Sequence, residues 1–509
     1  MHRLVVVIAC ATLLASAPRR AGAQVRGDFN GDGFDDLAVG APFEDIVKGG
    51  LTMTDAGVVN VFYGSASGLN GVPQQTLSQD TAGVAGLPAD ADRFGDALAV
   101  GHFNDDEFAD LAVGVPGETV NAEVGAGAVH IFFGSASGLT GAGSQFFNQD
   151  VAGIASDGAE ASDAFGRSLA VGNFNGDDFD DLAIGVPSED VGAVAIAGAV
   201  HALLGSAAGL SIVGDQFWTE DVIGADPSES GDAMGGSLAS GDFDGDGFDD
   251  LAIGSAGENV GAVSRAGAVG VLFGTSIGLD ALGNVLLTQA GAITDTAESN
   301  DFFGSTLAAG DFNGDDFSDL AIGVPLENLN GLTDCGAVNV LFGSSTGLVT
   351  AGQQFLSQGG LVDGVQEASD RFGSSLLAVR VNDDARDDLI VGVIGEDSGA
   401  GAMNVFLGGA SGLNQFRFQA AKVLGGVHAG DGFASALAAG DFNGDGKVDI
   451  AIGVAKDDVA ITSPPSTVQD AGSVTVILNP RTVQFLRQNE SKNDVEAGDG
   501  FGDALGARP

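Results

Sequence analysis

Asp28, Asn30, Asp32 and Asp36 fall within one nine-residue stretch, DFNGDGFDD, with side-chain oxygens at positions one, three, five and nine. Short carboxylates and an amide at this spacing suit a hard cation, which takes six to eight oxygens at about 2.3–2.6 Å. Three side chains, a backbone carbonyl at position seven and one or two oxygens from position nine approach that number. Gly33 at position six permits the sharp turn the loop needs. The chemistry expected is Ca2+ held as a structural ion. The preceding Arg26-Gly27-Asp28 is also a tripeptide that adhesion receptors bind, so what matters is whether the stretch stands alone.

The loop recurs. It is complete at Asp242, Asp244, Asp246 and Asp250, at Asp311, Asn313, Asp315 and Asp319, and at Asp441, Asn443, Asp445 and Asp449. A third copy, Asn173, Asn175, Asp177 and Asp181, keeps a neutral oxygen at position one. Two copies lose the first carboxylate: His102 precedes Asn104, Asp106 and Asp110, and Arg380 precedes Asn382, Asp384 and Asp388. Arg380 is expected to place its guanidinium where the ion would sit. About four to five Ca2+ sites are expected, with the second and sixth loops as the exceptions. Gly27-Asp28-Phe29 recurs at Gly241, Gly310 and Gly440, whereas Arg26 becomes Ser240, Ala309 and Ala439, so the adhesion tripeptide is incidental. Position twelve is apolar, Val39 in the first copy, and strand-like sequence follows, which excludes an EF-hand or dockerin.

The elements that position these loops are strands. First ligand positions at 28, 102, 173, 242, 311, 380 and 441 give spacings of 74, 71, 69, 69, 69 and 61, the mark of a repeat architecture with a period too long for WD40 or kelch blades. Each unit reads as four strands; in the third these are 168–174, 181–187, 198–206 and 215–221, with the loop between the first two. Most strand positions are apolar on both faces, which fits blades packed face to face around an axis. Internal units open with a Phe-Gly pair, as at Phe94-Gly95, Phe165-Gly166, Phe303-Gly304 and Phe372-Gly373. The first unit lacks one, and the chain ends with an unaccompanied Phe501-Gly502. The expected fold is therefore all-β: a seven-bladed β-propeller of four-stranded blades over 24–509. Its repeats begin near 24, 92, 163, 232, 301, 370 and 431, and a C-terminal strand (500–505, within 499–506) closes the ring on the first blade. Closure leaves neither edge unpaired.

Residues 1–23 carry a basic start, an apolar run and Ala21-Gly22-Ala23, the pattern of a secretory signal cut before Gln24. Val7-Ile8-Ala9-Cys10 resembles a lipoprotein box but is preceded by too short an apolar core. Without Arg3, Arg19 and Arg20, 16 basic residues face 70 acidic ones, a net charge of −54. That balance argues against nucleic acid and anionic membrane as partners and favours cations, with adaptation to high salt a weaker explanation. Cys335 is then the sole cysteine, so no intramolecular disulfide forms and another staple or a large core is needed. No second run of 18 apolar residues follows, so no membrane span is expected.

Taken together, the Phe-Gly pairs, the loops, and Gly40-Ala41-Pro42, Gly114-Val115-Pro116 and Gly323-Val324-Pro325 resemble FG-GAP repeats, the units of the integrin α-subunit β-propeller. The resemblance implies calcium in the hairpins of one face, held by Asp28, Asn30, Asp32, Asp36 and their equivalents, and ligands on the opposite face. Leg domains, an inserted metal-binding domain and a membrane span are missing, so a receptor subunit is not expected. Acidic residues after every second strand (Glu44, Glu118, Glu189, Glu258, Glu327, Glu396, Asp457) read as structural. His130 and His201 share a strand register and read as packing, as do Trp218 and Tyr63. The long loops 43–56 and 456–471 are the main departures from the repeat. With no G-x-S-x-G, His/Cys cluster or P-loop, the expected function is a secreted calcium-binding adhesion module for a protein or glycan ligand. The alternatives are a polysaccharide lyase or phospholipase-like enzyme and a structural surface component.

Overall fold

The computed structural model describes residues 27–69, 73–155, 158–224, 227–359, 365–382, 384–416, 428–457, 459–462, 465–468, 471–478, 482–486, 501 and 503–506. The expected signal sequence, 1–23, lies outside them. Seven four-stranded antiparallel sheets form the blades. In the third blade the strands are Ser168–Gly172, Asp181–Val186, Ala199–Leu204 and Ser211–Trp218. The fourth strand thus starts earlier than 215 and stops at Trp218, because Thr219 accepts from the Val222 N–H and caps a one-turn helix, Glu220–Ile223. The first three strands are almost wholly buried and only the outer strand alternates with solvent, which explains the apolar runs.

The innermost strands touch one another in sequence around the axis, from Ala97–Gly101 through Phe433–Gly440 to Ala504–Gly506 and back. Ala504–Gly506 pairs antiparallel with Leu37–Ala41 in the register Ala38 to Gly506, Val39 to Leu505 and Gly40 to Ala504. The C-terminal residues therefore complete the first blade, as expected. Phe501 is fully buried, its ring edge-on to Phe62 at 6.2 Å and 68°, as Phe94 stands to Phe132 at 6.0 Å and 86°. Further hydrogen bonds join the last blade to the first, including two through side chains. Asp441 N–H donates to Asp35 Oδ2 at 2.7 Å on the hairpin face, and Leu69 N–H donates to Gln484 Oε1 at 3.0 Å at the rim.

The loops 43–56 and 456–471 are more ordered than loops: each carries a hairpin, Ile46–Lys48 with Leu51–Met53 and Val459–Thr462 with Pro465–Val468. Strand direction puts all first-to-second hairpins on one face of the ring and these second-to-third connections on the other.

Candidate metal hairpins and the face opposite

In each complete loop the position-one carboxylate is gripped by the backbone it encloses. Asp28 Oδ1 accepts from Gly31 N (2.6 Å) and Asp32 N (3.1 Å), and Oδ2 from Gly33 N (2.7 Å). Asp242 repeats the arrangement with Gly245, Asp246 and Gly247, Asp311 with Gly314, Asp315 and Asp316, and Asp441 with Asp445 and Gly446. Asn30 Oδ1 accepts from Asp32 N and Asp32 Oδ1 from Phe34 N, so positions one, three and five curl around a common centre. In the fourth blade Asp242, Asp244 and Asp246 each bring an oxygen to within 4.8 Å of the others. Burial first, and Asp246 second, hold the Asp244 carboxyl above the usual range. A hard cation fits this donor set, because it would offset three carboxylate charges held within 4.8 Å of one another.

The departing copies differ. Asn173 turns its amide nitrogen onto Asp177 O at 2.6 Å, which leaves its own buried oxygen without a hydrogen-bond partner. Asn175 bonds Asp177. The second loop keeps the Asn104-to-Asp106 and Asp106-to-Phe108 turns. The expectation for Arg380 needs correcting: its Nε donates to Asp387 Oδ1 at 3.0 Å, so the guanidinium pairs with position eight of its own loop. Asp387 offers a nearly buried carboxylate close by.

Position nine has a role that repeats in six of the seven blades. Asp36 is fully buried and accepts from Phe29 N and Gly64 N, both at 2.8 Å. Asp110, Asp181, Asp250, Asp319 and Asp388 make the same pair of bonds, in the two incomplete loops as well. Asp449 bonds Asn443. This aspartate latches the hairpin to the end of the third strand whether or not a metal is bound. Position eight joins neighbouring blades: Asp180 Oδ2 accepts from His102 N, Asp249 from Asn173 N and Asp387 from Asp311 N, at 2.8–2.9 Å. Position four is glycine in five loops, Asp105 and Asp383 being the exceptions, and at these glycines the next blade's position-seven side chain lies close. A Cβ on Gly31 would meet Phe108 at 2.7 Å and one on Gly245 would meet Phe317 at 2.4 Å.

On the opposite face four of the acidic residues after the second strands are buried and accept from the previous blade. Gln79 donates to Glu118, Gln149 to Glu189, Gln289 to Glu327 and Gln358 to Glu396. The structural reading of these acids therefore holds, although their glutamine partners were not foreseen. His130 lies between Phe94 and Phe146, and His201 between Phe165 and Phe217, both fully buried. Burial pushes His130 down to about 4. Trp218 is buried, and the Tyr63 hydroxyl accepts from Leu139 N in the next blade at 3.2 Å. Exposed apolar side chains crown the second-to-third connections, with Val47 69 %, Leu51 72 % and Val124 67 % exposed. No helix among the described residues is long and apolar enough to cross a membrane.

Comparison with known proteins agrees with this geometry. The FG-GAP repeat model matches residues 25–61, 94–132, 165–203, 234–272, 303–341 and 433–455. Phosphatidylinositol-glycan-specific phospholipase D of Bos taurus is 33 % identical over 159 residues, 31 % of this chain and 18 % of that protein. Integrin alpha-5 of Xenopus laevis is 30 % identical over 239 residues, 45 % of this chain and 20 % of that protein. Integrin alpha-PS2 of Drosophila melanogaster is 28 % identical over 248 residues, 46 % and 15 %. The matches thus span a fifth or less of these relatives. A solved rhamnogalacturonan lyase of Bacillus licheniformis overlays with a TM-score of 0.32 at 11 % identity, covering 81 % of this chain and 64 % of that one, too loosely for any inference. Seven four-stranded blades, six matched repeats and the kinship with integrin α chains make this protein an FG-GAP repeat β-propeller similar to the N-terminal domain of integrin α subunits.

Proposed function

We propose that the propeller is an extracellular binding module, stapled by Ca2+ on one face and engaging a protein or glycan ligand with the other. The observation that carries this reading is the division of labour between faces. Carboxylate hairpins repeat on one side, while the other bears non-repeated connections tipped by Val47, Leu51 and Val124. Exposed apolar groups of this kind mark contact surfaces when they cluster. Asp28, Asn30, Asp32 and Asp36, with their counterparts at 242, 311 and 441, would hold the ions, and the Asn173 loop one more. Bound calcium supplies charge neutralisation and cross-links a hairpin that no disulfide secures. The integrin relatives support an extracellular or surface setting for such a fold.

The rival reading, an enzyme of phospholipase or lyase type, draws on the phospholipase D relative. Among the described residues two histidine–carboxylate pairs occur: His201 Nδ1 to Asp215 at 3.3 Å, with side chains 0 % and 1 % exposed and so closed to a substrate, and the exposed His428 Nδ1 to Asp431 at 3.5 Å. A screen of glycans and extracellular proteins with calcium and with EDTA tests the proposal. Calcium-dependent capture weakened by Val47→Asp or Leu51→Asp supports it. Turnover of a polysaccharide or phospholipid by the purified chain, with no capture, refutes it.

A further inference from the structure

Among the described residues one blade interface breaks the glutamine rule. At the register of Gln79, Gln149, Gln289 and Gln358, the third blade has Glu220, which therefore faces Glu258 carboxylate to carboxylate instead of donating an amide N–H to it. Asp232, the residue two before the Met234-Gly235 pair, completes a cluster in which each member brings one oxygen to within 4.8 Å of the other two. All three residues are buried, with Glu220 6 %, Asp232 0 % and Glu258 2 % exposed. Glu220 Oε2 and Asp232 Oδ1 are enclosed and accept no hydrogen bond. The charges that bear on Glu220 are negative, and burial first, then Asp232 and Glu258, pushes its carboxyl well above the usual range.

The surroundings depart from the repeat at the same place. The strand position filled by His130, His201, Asn339 and Asn404 in other blades is Gly270 here, and a Cβ on it would meet nothing nearer than Ile223 at 3.9 Å. Met234 stands where the repeat has Phe94 or Phe165, Leu286 where it has Phe146 or Phe217, and Ser255 where it has Val115 or Val186. These smaller or more polar side chains leave a pocket walled by Glu220, Ile223, Met234, Ser255, Gly270 and Leu286. Oxygens up to 4.8 Å apart are the separation expected across an ion with bonds of about 2.4 Å.

We propose that Glu220, Asp232 and Glu258, with the Ser255 hydroxyl, form a buried site for one hard divalent cation between the third and fourth blades. It lies on the face opposite the hairpins, beside the pocket that Glu220 and Ser255 line. The ion replaces the amide donor that the other interfaces use, and one cation offsets charge that three adjacent buried carboxylates cannot carry alone. The site stands independently of the hairpin reading.

Trp218, the sole tryptophan, gives a local readout. It lies two residues before Glu220 and shares an apolar cluster with Ile223 and Met234. The hairpin loops are a strand length away, roughly 20 Å. Terbium added to the calcium-stripped full chain, under tryptophan excitation, is expected to give sensitised emission that Ca2+ competes away. Glu220→Gln restores the residue used at the other interfaces, so it should fold. In this variant the emission is expected to fall by at least roughly tenfold, and calcium counted by atomic emission after dialysis should drop by one ion. Absence of sensitised emission from the wild-type chain, or an unchanged signal and count in Glu220→Gln, overturns the proposal and leaves the three carboxyl groups sharing protons. A wild-type count of one with strong emission would instead sink the hairpin reading and spare this one.

Discussion

Replacing Phe501 by alanine tests whether the C-terminal segment closes the ring or merely rests on it. Phe501 is fully buried, stacks edge-on against Phe62, and its N–H donates to Ala471 O at 3.3 Å, so its surroundings match those of Phe94 in the second blade. Losing a fully buried phenylalanine side chain costs about 1.5–3 kcal/mol in transfer free energy, and the unfilled cavity brings the total to about 3–5 kcal/mol. Phe94→Ala, in the interior of the chain, is the control of equal burial. Urea unfolding followed by Trp218 fluorescence and by circular dichroism gives both free energies. The two variants should lose the same stability to within about 1 kcal/mol, and Phe501→Ala should also be cut faster by protease near the first blade, because Leu37–Ala41 becomes an open edge. If Phe501→Ala stays within about 0.5 kcal/mol of wild type while Phe94→Ala costs its full amount, the closure argument fails.

Other expectations follow from single contacts. Asp110→Ala leaves the buried Phe103 and Gly134 N–H groups without an acceptor and should cost about 2–5 kcal/mol equally with calcium and with EDTA. Asp28→Ala should cost stability chiefly when calcium is present, and differential melting of the two variants separates latch from ligand. His130 stays neutral in the fold, its pKa lowered from 6.5 to about 4, so the unfolded chain takes up the proton first. Its contribution is whole above pH 6.5 and is lost as the pH falls toward 4, by about 3 kcal/mol in all. His130→Asn, the residue at the same register in Asn339, should flatten that part of the stability–pH curve. Gly31→Ala puts a methyl against the Phe108 ring at a φ of +72° and should destabilise more than Gly49→Ala, where φ is +62° and no atom lies within 4 Å. Strain alone costs about 1–2 kcal/mol at each, as thermal denaturation would show.

The blade number, the loops and the closing strand were legible because each rests on a pattern within one repeat: oxygens at fixed spacing, a Phe-Gly pair, a strand without a partner. What escaped lies between repeats. Gln79 and Glu118 are 39 residues apart and meet only once two blades pack, and the Gly31 contact with Phe108 spans 77 positions. Position nine was read as a metal ligand alone because spacing says nothing about Gly64, 28 residues on, whose N–H Asp36 holds. The Arg380 expectation failed for a related reason, since Asp387 was counted as filler within the loop. Aligning the copies against one another does reveal Glu220, a carboxylate where four others have an amide. That difference has meaning only beside Asp232 and Glu258.

Melting of the calcium-free chain with and without added Ca2+ tests the central claim most directly. Each weak extracellular-type site adds RT ln(1 + [Ca]/Kd), roughly 1–3 kcal/mol at millimolar calcium, so Tm should rise steeply with calcium and fall again in EDTA. An identical Tm in both conditions would mean that the carboxylate hairpins are turns held by their own N–H groups and that no metal staples this propeller.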